Sequence, residues 1–139
     1  MQKLSGALLA LLGLFSLSAQ ADVNFAQQAA NDYGLHAQKL NKNSKLTAEA
    51  GRAFYTKKVV VDGKDLSCSA CHTDNPGATG KHNETGKPIK PLAPSANPDR
   101  FSDRGKAEKN FSKHCRDLYG KDCSPQDKGD FVTYLLTVK

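Results

Sequence analysis

Two cysteines three positions apart, followed at once by a histidine, constrain this chain more than anything else in it: Cys68-Ser69-Ala70-Cys71-His72. Thiols at this spacing reach the two vinyl groups on one edge of a porphyrin and form thioethers, and the next residue carries its imidazole beneath the ring, where it binds iron. Ser69 and Ala70 are small, so the backbone can approach the ring closely. The motif reads as the attachment site of one covalent haem c, with Cys68 and Cys71 as thioether cysteines and His72 as proximal iron ligand. Two other chemistries use such a pair. A thioredoxin-like dithiol expects a βαβ context that the sequence does not offer. A zinc site drawn from Cys68, Cys71, Cys115 and Cys123 would leave His72 without a role.

The start of the chain reads as a secretory leader. Lys3 precedes an almost wholly apolar or small stretch over residues 4–17, and Ala19-Gln20-Ala21 has the small-x-small form that a signal peptidase cuts. The stretch is too short to span a membrane comfortably. Cleavage after Ala21 would release residues 22–139 into the periplasm without stable membrane insertion. Thiols there are not kept reduced, so all four cysteines need an occupation. Cys115 and Cys123, separated by residues 116–122, are expected to form a disulfide. Closing that loop would stabilise the fold by about 2.5 kcal/mol if unstrained.

Periodicity predicts an all-α domain of about four helices. Phe25, Ala29, Tyr33 and Ala37 recur at helical spacing within 24–39, and Thr47 is suited to cap a helix over 48–57. Val59-Val60-Val61 followed by Asp62-Gly63 predicts a short extended piece and a turn. Residues 103–118 are helical again, with Ala107, Phe111, Cys115 and Leu118 near one face and Gly120 as terminator. Ser124, Pro125 and Asp127 open a last helix bearing Phe131, Leu135 and Val138. Residues 73–99 hold no sustained period and are punctuated by glycines and prolines. A loop of that length fits the wrapping of a cofactor edge. The organisation expected is a leader over 1–21, an N-terminal helical extension over 22–46, and the haem domain over 47–139. There is no Trp and few large apolar side chains, so a macrocycle would supply core that the polypeptide lacks.

The second axial position is the open question. Met1 is the one methionine and leaves with the leader, so thioether ligation is excluded and the potential should lie below that of a His/Met haem. A histidine, an asparagine, an open site, or exchange among these remain. His114, on the third long helix beside Cys115, is the leading candidate. His82 sits in a Gly/Lys loop, His36 lies far upstream, and Asn97 and Asn110 are oxygen-ligand alternatives.

A helix with Gly51 and Phe54 before the motif and a terminal helix with Phe131 and Tyr134 resemble the crossing first and last helices of class I c-type cytochromes. More specifically, the chain resembles the sphaeroides haem protein (SHP) group of that class. The resemblance is carried by Cys68–His72, Ala78-Thr79-Gly80, Pro91-Leu92-Ala93-Pro94-Ser95, Asn97-Pro98, Arg100-Phe101, the Cys115 and Cys123 pair, and Lys128-Gly129-Asp130. It implies a small class I cytochrome c fold, with helices and long loops around one haem and a displaceable distal ligand. It also implies binding of O2 or NO at the iron, nitric oxide dioxygenation as an activity, and electrons from a dihaem cytochrome c. The group's distal asparagine falls, by cysteine register, on His114. Imidazole binds iron more strongly than an amide oxygen, which favours the alternative of a simple electron carrier with a permanent His/His haem.

The chain is basic, with a formal net charge of +6. Lys81, Lys87 and Lys90 form one cluster and Lys106, Lys109 and Lys113 another. Such clusters solvate a surface, and they also steer an acidic redox partner. No recognition helix or aromatic platform points to nucleic acid.

Overall fold

The structure, a computed structural model, describes residues 24–139. The leader expected over 1–21 lies outside the described residues. Five helices order the described residues: α1 Phe25–Leu40, α2 Ala48–Thr56, α3 Cys68–His72, α4 Arg104–Tyr119 and α5 Pro125–Thr137. Two small antiparallel hairpins and a 3-10 turn at Pro98–Phe101 fill the connections. Among the described residues no helix is long and apolar enough to cross a membrane.

Helix starts follow side-chain chemistry. The Asn24, Thr47, Ser67, Asp103 and Ser124 side chains each accept from an amide of the first turn they cap. At α5 the cap is reciprocal, with the Asp127 carboxylate accepting from the Ser124 amide. Gly120 ends α4 at φ +70°, a left-handed position that glycine takes without steric penalty.

The core forms where α5 crosses both α2 and α1. At the α2 crossing the backbones nearly touch: a methyl group on Gly51 would lie 1.9 Å from the Asp130 carbonyl oxygen and 2.8 Å from Tyr134 Cβ. Phe131 reaches between the helices, its ring centroid 6.2 Å from Phe54, 6.1 Å from Tyr55 and 5.5 Å from Phe111. Helix α1 presents a face of small residues, Ala26, Ala29, Ala30 and Ala37, with Tyr33 among them. This lets α1 lie close to α5 at Gly129.

One buried carboxylate joins two elements. Asp130, 6 % exposed, accepts from the Thr47 amide at 2.6 Å and from Gln126 Nε2 at 2.9 Å, so α5 caps α2 from outside. Replacing it with asparagine keeps the shape and removes the charge. Asp130→Asn is expected to cost about 1.5–3 kcal/mol, the range for a hydrogen bond to a charged group. Urea unfolding of the holoprotein would show this as a lower midpoint at unchanged slope.

Val59–Val61 is extended, as expected, and pairs with Lys64–Leu66 as β1 and β2. Asp62 and Gly63, at φ +50° and +75°, make the mirror-image turn that matches strand twist. The hairpin delivers the chain to Ser67 and α3.

Candidate haem site

Helix α3 is the motif itself. Ser67 Oγ accepts from the Ala70 amide at 3.1 Å and sets the first turn, so Cys68, Cys71 and His72 are held on barely more than one turn of helix. Thr73, at φ +64°, then turns the chain sharply away. A β-branched residue in that region is strained by about 1–3 kcal/mol. The strain is held by Thr73 Oγ1 donating to the Asn75 carbonyl at 2.8 Å and by Tyr55. The Tyr55 hydroxyl, wholly buried on α2, lies 3.1 Å from the His72 carbonyl and 2.5 Å from that of Thr73.

The donor set fits covalent haem. Cys68 and Cys71 are free thiols, whereas Cys115 and Cys123 are joined to each other. The latter pair is therefore not offered to a metal, and among the described residues no group of three or more His, Cys, Asp or Glu is arranged to hold one. Burial pushes the Cys68 thiol up to about 11, so at neutral pH it is protonated, and with Cys71 it would supply the sulfur of a thioether to a haem. Burial first, then the charges of Arg100 and His114, lower His72 to about 4, which leaves its imidazole neutral with a lone pair for iron. Residues 80 and 81 form β3, paired with 88 and 89 as β4. A methyl group on Gly80 would lie 2.4 Å from the Cys71 carbonyl oxygen and 3.1 Å from His72 Cα, so this hairpin lies flush against the motif.

The remaining candidates separate. His114 stands on the C-terminal half of α4 with an exposed edge. Partial burial of the ring and then Lys113 lower its pKa, Asp117 opposes them, and the charges of Arg100 and His82 add to the lowering. His72, on α3, is thus within electrostatic reach of both His114, on α4, and Arg100. His82 is exposed on the hairpin, its Nδ1 accepting from the Glu84 and Thr85 amides at 3.3 Å each. Asn97 Nδ2 donates to the Pro91 carbonyl at 2.9 Å and ties the proline loop together. Asn110 lies half-buried one turn before His114. His36 is exposed on α1, in a groove with Tyr33 and Lys39. The disulfide, with Cα atoms 5.6 Å apart, ties α4 to the start of α5 immediately beside His114. Arg100 carried no separate signal in the sequence, because a lone arginine in a proline-rich loop has no periodicity to mark it.

A family described as a domain of unknown function, DUF1924, matches residues 41–135. Cytochrome c'' of Methylophilus methylotrophus is 43% identical over 126 residues, covering 89% of this chain and 88% of that protein. The cytochrome c-type protein SHP of Cereibacter sphaeroides is 40% identical over 89 residues, 63% of this chain and 68% of that protein. The chain belongs to this family, the SHP group of class I c-type cytochromes. The fold agrees over most of the chain. The crystal structure of oxidized cytochrome c'' superposes with a TM-score of 0.78 at 41% identity, covering 85% of this chain and 98% of that one. Its solution structure, described in terms of haem-ligand detachment, gives 0.73 at 42% identity, with 84% and 95% covered. Oxidized SHP, described as an oxygen-binding cytochrome c, gives 0.69 at 34% identity, with 79% and 94% covered. Membership of the SHP group makes this chain a monohaem c-type cytochrome with one covalent haem c.

Proposed function

We propose that this SHP-group cytochrome binds a small gas, O2 or NO, at a haem whose distal ligand, His114, is displaceable, and that it takes electrons from a redox partner. In this reading Cys68 and Cys71 hold the haem by thioethers and His72 is the permanent proximal ligand. The observation that carries it is that His72 and His114 lie within electrostatic reach of each other in a chain that has no methionine after Met1. Two relatives support it: one is described as oxygen-binding, and the structure of the other concerns detachment of a haem ligand.

When bound, haem c supplies a one-electron iron centre and a position for a diatomic ligand. The protein's part is to hold His72 fixed and neutral while leaving His114 free to turn away. His72 is backed by Tyr55 and by β3. His114 is attached through side-chain torsions on an exposed helix edge, next to a disulfide that fixes the backbone. With a partner returning one electron per turnover, reaction of NO with O2 held at that one position would give nitrate (NO + O2 + e− → NO3−) and extend this to nitric oxide dioxygenation. The exposed lysines of the hairpin (Lys81, Lys87, Lys90) and of α4 (Lys106, Lys109, Lys113) favour an acidic partner, for which a dihaem cytochrome c is our assignment. We place the mature protein in the periplasm after cleavage at Ala21, with 22–46 as extension and 47–139 as the haem unit.

The second reading is a simple carrier whose haem stays His/His-ligated. Histidine is the observation in its favour, since imidazole leaves iron less readily than an amide. Optical spectra of ferrous protein with carbon monoxide and nitric oxide separate the two. Gas binding is expected in the wild type, and faster by about tenfold or more in His114→Ala, equivalent to about 1.4 kcal/mol of ligand competition removed. Ferrous protein that ignores both gases leaves only the carrier, and an unchanged ferric spectrum in His114→Ala removes the distal assignment.

A further inference from the structure

Arg100 belongs to a stretch of backbone fixed at both ends. The Leu92 and Ala93 amides both donate to the Pro76 carbonyl at 2.9 Å, which binds the proline loop to the segment just beyond His72. The Arg100 amide donates to the Asn97 carbonyl at 3.0 Å, and its neighbour Phe101 is buried in the core. The 3-10 turn they form packs on α1 and on α4, the helix that carries His114. The loop therefore bridges the element bearing the proximal histidine and the element bearing its distal counterpart.

The guanidinium at the end of this bridge is half-buried, and burial lowers its pKa. Among the described residues it enters no ion pair. Arg104, in contrast, has Asp32, and Arg116 has Asp122 at 2.9 Å. A partly desolvated guanidinium without an acceptor is costly, and its planar fork suits a carboxylate. Its backbone lies on the bridge between the segment just beyond His72 and the helix that carries His114, so the side chain is rooted beside the space between those elements. Cys68 and Cys71 define the vinyl edge of the haem that these residues hold, and the carboxylates of a haem c are its propionates, on the other edge.

We propose that Arg100 anchors a haem propionate, fixing the edge of the macrocycle remote from the thioethers and placing a positive charge next to the iron. This rests on attachment at Cys68 and Cys71, and an intact Soret band in each variant keeps failure of that attachment distinct from failure of the anchor.

The test uses resonance Raman spectra and the midpoint potential of holoprotein in Arg100→Gln, Arg100→Lys and, as control, Arg116→Gln, whose side chain is on the open surface. The propionate bending band is expected to shift in both Arg100 variants and to stay in place in the control. The potential is expected to fall in Arg100→Gln, because losing a nearby cation favours ferric iron, and to be largely retained in Arg100→Lys. A propionate band unmoved in both Arg100 variants overturns the anchor. So does an unmoved band combined with weakened azide binding, which would assign Arg100 to an anion on the iron. Should Arg100→Gln not accumulate with haem, Arg100→Lys alone decides by the same band.

Discussion

Gly51→Ala is expected to destabilise the holoprotein by about 3 kcal/mol or more, with a sharply lowered urea midpoint. On propensity alone the change should help, since alanine is favoured over glycine inside a helix by about 1 kcal/mol. Sterics override this. The new methyl would stand 1.9 Å from the Asp130 carbonyl oxygen, 2.5 Å from its carbon and 2.8 Å from Tyr134 Cβ. Two of those three atoms are backbone in the middle of α5 and cannot swing aside. Relief needs the helices to separate, and that would loosen Phe131 from Phe54 and Tyr55 and stretch the bond from the Thr47 amide to Asp130. Overpacking commonly costs about 1–3 kcal/mol, and a clash against backbone belongs at or above the top of that range. Against a total stability of about 5–15 kcal/mol this is decisive in a small domain. Gly120→Ala is the control: its φ of +70° disfavours alanine, but a methyl there meets nothing within 4 Å, so a loss of only about 1 kcal/mol is expected. Equal urea midpoints for the two variants would refute the tight crossing.

Replacing both Cys68 and Cys71 by serine is expected to abolish covalent haem altogether. The wild-type chain should keep its pigment through denaturation and extraction with acidified organic solvent, whereas the double variant should release all of it. No other thiol can substitute, because Cys115 and Cys123 are bonded to each other. A second effect follows from linkage. A group bound only by the folded chain stabilises it, and removing the tether lets that group dissociate on dilution. The double variant should therefore unfold at lower urea, and its midpoint should rise with added free haem. Pigment that stays with the serine chain after extraction would refute attachment at this pair.

Much of this was legible because the signals are local. Thr47, Ser124, Pro125 and Asp127 act within one helical turn of themselves, so their capping roles can be read without knowing the fold. The helix crossing was visible because a glycine and aromatics recur in the pattern of class I cytochromes. What escaped depends on distant partners or on very short elements. Helix α3 makes a fifth helix where about four were expected, since five residues are too few to show a period. The 80–81 and 88–89 pairing is shorter still. Asp130 lies within a polar helix start, and one of the two hydrogen bonds that accompany its burial comes from Thr47, 83 positions away. Thr73 gives no sign of its left-handed backbone, because the need for it arises from the chain having to leave the motif at once.

Tyr55 makes the helix joint and the haem motif one mechanical unit. Its ring packs 6.1 Å from Phe131 and 5.6 Å from Tyr134 within the crossing, while its hydroxyl is bonded to the backbone oxygens at the end of α3. Any slippage of α2 along α5 is thereby transmitted to His72, the residue we propose as proximal ligand. The colour of the protein should report strain in a contact it does not touch, so substitutions at the joint can be ranked from the visible spectrum before any unfolding curve is measured.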